Sequence, residues 1–576
     1  MGSNSSKYDS ASDSDEESIV PQASSDWKRR YTRPSPGSFM TICYVDLELA
    51  DITPIRLGNA TIGRFRLIDC TEYCDGGIRV IEFESAEVIK RLAYATISYV
   101  WKGNHRAEKS KSFNVVVSDE AKSGDRISIK VLRMACKAAL HHGVRYIWLD
   151  RLCIMQDTFG DLAWQMSIMS DVYRNAAYCF VLPGGIGRLV KLEEETTWIY
   201  RSWTLMEALS PREVWCIFRW SRGPGTWHGV KDYMDDVEEI EKGYCAMTRL
   251  EAVLALSRTR VNFADEDQEE TYFLPSGKSG RHLESINLVL FSSEIEPMTA
   301  LESARSLQQL AQSIRKKAET QALTTKDLWR LASAETAIWR CAVMRTSQYE
   351  RDIVYSIMGL FGVNLAYDKN KTRDQLIVEL CTQILRNGGN ANWFVASISL
   401  PVPQIFCTMP PTPVMGGGVP QFRTSNGTSK PAHKFMGMLD WFLEDMPKVK
   451  VTEGAVLEFS APISPVKRGP VPKNSPPPLK FVFTVVKIKS EIDGITRVAN
   501  LGGNIGTHAV NLGGTLPYAH FGLDAQDHGR TMVLMLLKKR PGGWQKTGMA
   551  LMGFSKLRWP KQLVRIPSYP SQQIEV

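Results

Sequence analysis

Between residues 93 and 218, short apolar runs of strand length alternate with longer stretches of helical periodicity, and few folds accommodate that order. LAYATISYVW puts a continuous apolar, β-branched run at Ala93–Val100. Ile127–Gly143 carries Val131, Met134, Ala135, Ala138 and Ala139 at helical spacing and stops at a glycine. Val144–Leu149 (VRYIWL) reads as the next strand. Leu162–Ala176 sets Ile168, Met169, Val172 and Ala176 on one helical face, and Tyr178–Leu182 (YCFVL) runs into Pro183-Gly184-Gly185. Trp203–Leu209 then reads as helix and Val214–Phe218 (VWCIF) as strand. Uninterrupted apolar strands separated by helices predict an α/β fold with a mostly parallel sheet and flanking helices. Ligands bind such sheets beyond the carboxy ends of the strands. That geometry singles out four places: Tyr99–His105, Asp150–Asp157, Pro183–Gly187 and the approach to Trp203–Glu207.

A chain of 576 residues exceeds one hydrophobic core. Residues 1–35, rich in Ser, Asp and Glu, read as a disordered tail whose deletion leaves cooperative unfolding intact. Residues 36–240 hold the α/β domain. Residues 241–400 read as mainly helical, through Glu302–Arg315 and Thr325–Met344, with a polar loop at Asp265–Arg281. Residues 401–434 form a Pro/Gly-rich linker. Residues 435–576 read as a small β-rich unit, with strands at Phe481–Ile488, Thr531–Leu537 and Met549–Phe554 and a turn at Pro541-Gly542-Gly543. Its two LGG repeats, at Gly502-Gly503 and Gly513-Gly514, lack the strand-then-helix context of a phosphate loop.

Charge and cysteine usage narrow the function classes. From Phe435 onward there are 18 Lys and Arg against 10 Asp and Glu, which equals the formal excess of +8 for the whole chain. A basic unit of this kind meets an acidic partner, a membrane surface or nucleic acid, or is a solvated face, and no aromatic-interleaved RNA motif accompanies it. The opening MGSNSSKYDSASDSDEES is polar and acidic rather than secretory, and its match to a myristoylation start is short enough to arise by chance. No apolar run is long enough to span a bilayer. The 11 cysteines are scattered, without a disulfide framework or paired metal-ligand spacing. A cytoplasmic protein without resident metal or cofactor is expected.

Three segments resemble the HET (heterokaryon-incompatibility) domain family of filamentous fungi. Tyr94–Gly103 (YATISYVWKG) is close to its Y-x-A-L-S-Y-x-W-G. Gly143–Asp157 (GVRYIWLDRLCIMQD) is similar to G-x-R-Y-x-W-x-D-x-L-C-I-x-Q-D and runs on through Met169, Tyr173 and Ala176. Arg201–Arg212 (RSWTLMEALSPR) is similar to R-x-W-T-x-Q-E-x-L-S-x-R. The resemblance covers Ala93 to Phe218, and Tyr349–Val363 (YERDIVYSIMGLFGV) looks like a segment that commonly follows. Met206 departs from the family's Gln, and Asp161 stands where many members have Glu. The resemblance implies self/non-self recognition coupled to regulated cell death, through protein partners or self-association.

By more distant resemblance the motifs look like those of TIR domains, which implies a TIR/flavodoxin-like sheet. Trp203-Thr-Leu-Met-Glu207 has the Trp-to-Glu spacing of the W-C-x-x-E helix of TIR domains that cleave NAD. That likeness makes NAD the substrate and Glu207 the catalytic carboxylate, since a carboxylate stabilises the positive charge that develops on ribose as nicotinamide departs. Ser98, Tyr99, Trp101 and Trp203 would line the substrate, with Asp150 and Arg201 as polar partners. The residues themselves also allow plainer roles. Glu207 reads equally as a structural carboxylate paired with Arg201 or Arg212, and Trp101, Trp148 and Trp203 as core aromatics. Asp150 could cap the following turn. Cys153 reads as a packed thiol, and Gln156 as a side chain bonded to loop backbone. The alternative to an enzyme is a non-catalytic module that nucleates a death-signalling complex through its surface.

Overall fold

The computed structural model describes residues 39–452 apart from 51–53, 104–110, 117–123, 229–233, 258–259, 266–271, 274–278, 281–283, 397–399, 401–407, 425 and 436–445. Beyond 452 it describes 456–468, 485–488, 496–503, 508–515, 531–541, 543–553 and 561–567. The expected tail, 1–35, lies outside these residues, as do most of the loop expected at Asp265–Arg281 and much of the basic carboxy-terminal unit.

A 12-stranded mixed sheet organises the chain up to residue 287. Its strands are β1 (Phe39–Asp46), β2 (Phe65–Asp69), β3 (Gly77–Phe83), β4 (Tyr94–Tyr99), β5 (Tyr146–Trp148), β6 (Tyr178–Leu182), β7 (Val214–Arg219), β8 (Gly225–His228), β9 (Met234–Glu241), β10 (Cys245–Arg249), β11 (Arg260–Asp265) and β12 (Glu284–Asn287). Their spatial order is β1-β3-β2-β5-β4-β6-β7-β10-β9-β8-β11-β12. The middle four, β5-β4-β6-β7, are parallel to one another. They are the four strands legible as apolar runs, because a parallel strand covered on both faces needs no polar alternation. All six residues of β4 and all five of β6 are buried.

The expectation of a mostly parallel sheet is corrected here, because antiparallel strands extend the parallel centre on both sides: β2 pairs with β5, and β10 with β7. Sequence reading assigned no strand to β1, β2 or β3 and placed β10–β12 in a mainly helical region. Several of these strands interrupt their apolar residues with polar or charged ones, as in β3 (GIRVIEF) and β10 (CAMTR), so they lack the continuous apolar run that marks a parallel strand.

The helices used below are α1 (Ile129–His141), α2 (Asp150–Cys153), α3 (Phe159–Asn175), α4 (Trp203–Leu209), α5 (Leu250–Leu256), α6 (Ile295–Ala318), α7 (Thr325–Ala342), α8 (Asp352–Met358) and α9 (Arg373–Arg386). Ser128 starts α1 by accepting a bond from Val131 N, and Gly143 ends it at φ 73°. There the Val144 N–H reaches back to Ala139 O at 2.8 Å, a left-handed stop for which glycine is suited. Capping boxes at Thr324 and Thr372 start α7 and α9.

Within the expected linker, Val414–Gly416, Val419–Arg423 and Ser429–Pro431 form a small antiparallel sheet. Carboxy-terminal to it is an eight-stranded sheet that includes Thr496–Gly503, His508–Thr515, Thr531–Arg540 and Gly543–Gly553. The two LGG repeats lie at register shifts, between Asn500 and Gly502 and between Asn511 and Gly513. Their glycines accompany β-bulges in antiparallel strands rather than a phosphate loop.

Candidate functional site

The parallel centre, taken in chain order as strands one to four, is arranged 2-1-3-4, so the direction of winding reverses between β4 and β6. A crevice at the carboxy ends of strands is expected at such a reversal. Two glycine-containing loops meet there: a Cβ on Gly103 would lie 2.4 Å from Gly184 O, a clash that glycine avoids. This brings the Tyr99–Gly103 segment directly against the Pro183–Gly187 turn.

Ser98 and Tyr99, the last residues of β4, point to opposite sides of the strand because successive side chains alternate. Each meets a different carboxylate. Ser98 Oγ, fully buried, donates to Glu207 Oε2 at 2.5 Å and accepts from Trp198 Nε1 at 2.9 Å. The Tyr99 hydroxyl donates to Asp150 Oδ1 and Trp101 Nε1 to Asp150 Oδ2, both at 2.7 Å. Asp150 also accepts from the Arg151 N–H at 2.7 Å; it is the first residue of α2, whose cap position, Leu149, makes no side-chain bond. Gln156 Nε2 donates to Asp150 O at 3.2 Å, a side chain bonded to loop backbone.

Glu207 is 9 % exposed. Burial pushes its carboxyl up to about 8, against the opposing bond from Ser98; the charge of Asp150 adds to the rise, and Tyr173 and Arg345 counter it. A buried carboxyl in this range carries its proton at neutral pH. Burial raises Asp150 as well, opposed by the bonds from Tyr99 and Trp101. The expected ion pair of Glu207 with Arg201 or Arg212 is absent among the described residues, and Ser98 takes that place.

Arg201 and Trp203 face a third carboxylate. The Trp203 side chain bonds Asp352 at the start of α8, where burial raises the carboxyl to about 6 against the neighbouring Arg351, the Trp203 bond and Arg201. Of the seven candidates, Ser98 and Glu207 are thus brought together in the interior. Tyr99, Trp101 and Asp150 form a second cluster beside them, with Trp101 and Asp150 partly exposed. Arg201 and Trp203, also partly exposed, lie on the α8 side of α4.

Asp161 has a structural position. Arg66 is fully buried and donates to Asp161 Oδ2 and to Glu82 Oε2, each at 2.8 Å, and to Cys153 O at 2.9 Å. The remaining capacity of Asp161 is taken by the N–H groups of Gly63 at 3.0 Å and Met155 at 2.9 Å. Cys153 is a packed thiol, and burial pushes it up to about 12. No group of His, Cys, Asp and Glu among the described residues could hold a metal ion.

Sequence reasoning assigned no site role to Trp198, Tyr173, Arg345 or Asp352. Tyr173 and Asp352 stand inside quoted motif segments, a signal that marked the stretch but not the contact. Trp198 and Arg345 had no signal. A concavity of about 630 Å³ lies elsewhere, between α1, the Asp75-Gly76 turn and Glu241, and contains none of the seven candidates.

Structure and site together define an α/β domain with carboxyl groups gathered where the strand order reverses. Residues 94–187 match the family model described as heterokaryon incompatibility protein (HET), and the chain carries a HET domain there. That stretch contains Ser98, Tyr99, Trp101 and Asp150 and ends before Glu207. No curated protein and no solved structure matches the chain.

Proposed function

We propose that this protein acts in heterokaryon incompatibility as a regulated cell-death effector that cleaves NAD at Glu207, on a TIR/flavodoxin-like sheet. The observation that carries the reading is the Ser98–Glu207–Asp150 arrangement: a buried carboxyl bonded by Ser98 at the end of β4, with Asp150 near enough to oppose its ionisation, beside the point between β4 and β6 where the strand order reverses. The 2-1-3-4 order of the parallel centre is that of flavodoxin-like sheets.

The reaction breaks the bond between ribose C1′ and the nicotinamide nitrogen. Its electron pair leaves with nicotinamide, water adds at C1′, and a proton is released with ADP-ribose. Positive charge develops on the ribose and is stabilised by a carboxylate held out of water. Glu207 has that seclusion. The incoming cationic nicotinamide and the charge that follows it draw the carboxyl toward its ionised form. Glu207 is buried against Ser98, so access of substrate to the carboxyl must precede chemistry.

The same closure favours the alternative, a non-catalytic module working through its surface, since Ser98 is 0 % and Glu207 only 9 % exposed. Expression in fungal cells of the protein and of Glu207→Gln, with viability and cellular NAD followed together, tests the choice. NAD loss and death that both disappear in the variant support the enzyme. Death that survives the substitution without NAD loss supports the interaction module.

A further inference from the structure

Arg345 follows α7 and passes under the start of α4. Thr346 binds that stretch on both sides: its N–H donates to Tyr200 O at 2.8 Å, and its carbonyl accepts from Ser202 N at 2.9 Å. Arg345 is 2 % exposed, and its Nη1 donates to Arg201 O at 3.0 Å and to Thr204 Oγ1 at 2.7 Å. Among the described residues it forms no ion pair, and Glu207 is the carboxylate whose field it feels. A buried guanidinium without a paired carboxylate is costly, because neutral acceptors replace its hydration incompletely. Seven residues on, Asp352 holds the Trp203 side chain. The approach to α4 is therefore bonded at the Tyr200, Arg201 and Ser202 backbone, and its first turn at the Thr204 hydroxyl, by one downstream segment.

The groups around Glu207 come from several elements. Tyr99 stands on β4, Asp150 on α2, Tyr173 on α3 and Cys179 on β6, with Arg201 just before α4. Asp150 opposes ionisation of Glu207, and Arg345 supports it.

We infer that Arg345 is a positioning residue for Glu207: its bonds to Arg201 O and Thr204 Oγ1 hold the start of the helix that carries the carboxyl and keep a buried positive charge beside that helix. The working site is then completed in cis from a position 141 residues beyond Thr204 and outside the stretch 94–187. This inference rests on Glu207 being the carboxylate of the site, but not on any substrate.

The test is the titration of Glu207 in the full chain, read as the protonated-carboxyl infrared band that disappears in Glu207→Gln. Arg345→Met should move the midpoint upward by about half a unit or more, since an opposite charge has been removed. Arg345→Lys, which retains the charge, should leave it near that of the parent. An unchanged midpoint in folded Arg345→Met overturns the inference. If Met and the neutral, hydrogen-bonding Arg345→Gln both fail to fold while Lys folds, Arg345 belongs to the fold alone, and the inference fails. The measurement needs no NAD, so absence of nicotinamide release in a separate assay leaves it standing.

Discussion

Glu207 shows how a residue's neighbours decide its chemistry. Its motif was legible, and so was the arrival of a carboxylate near the carboxy end of β4. Its partner was not, because sequence suggested arginine and the structure supplies a serine hydroxyl at 2.5 Å. Spacing reports which strand end a residue reaches, whereas hydrogen-bond choice depends on sub-ångström packing of elements far apart in the chain. A consequence is measurable. A carboxyl near 4.5 when unfolded and raised to about 8 when folded binds its proton more tightly in the native state. Its contribution is complete below the unfolded value and is lost progressively as pH rises through the window between the two. Urea titrations across that window should show stability falling with pH, and Glu207→Gln should flatten the profile. A profile of equal slope in both proteins would remove the proton from Glu207. Asp161 illustrates the opposite outcome: a motif position whose carboxylate is consumed by Arg66 and two backbone N–H groups.

Helix α4 was legible as an element, and its boundaries coincide with the apolar pattern Trp203–Leu209. What holds its far end came from outside the pattern. Arg305 on α6, 2 % exposed, donates to the carbonyls of Ala208, of Pro211 at 3.4 Å and of Arg212 at 3.0 Å, and it pairs with Glu251 on α5. A cation placed among carbonyls at a helix carboxy end satisfies acceptors that the helix itself cannot. Arg305→Met leaves those carbonyls buried without a donor and should cost about 3 kcal/mol in denaturant unfolding. A cost under about 1 kcal/mol would mean that water replaces the guanidinium freely.

At the scale of the molecule, the parallel centre was readable because buried parallel strands are apolar throughout, while the antiparallel flanks and the 345–352 grip were not. A long-range contact between a loop arginine and a helix start has no periodic trace. The structure joins the segments on either side of residue 240: β7 pairs with β10, and α6 and the Arg345 segment both bond α4. A chain ending at residue 240 should therefore lose cooperative thermal unfolding, as read by circular dichroism. A sharp transition near that of the full chain would show that the α/β unit closes without its downstream half.

NAD cleavage at Glu207 is tested most directly by nicotinamide release from NAD, measured for the purified full chain at high concentration beside Glu207→Gln. Release by the parent that falls at least about a hundredfold in a variant of unchanged fold is the expected result, the size typical of a lost charge-stabilising group. Release that proceeds equally in both proteins would contradict the assignment.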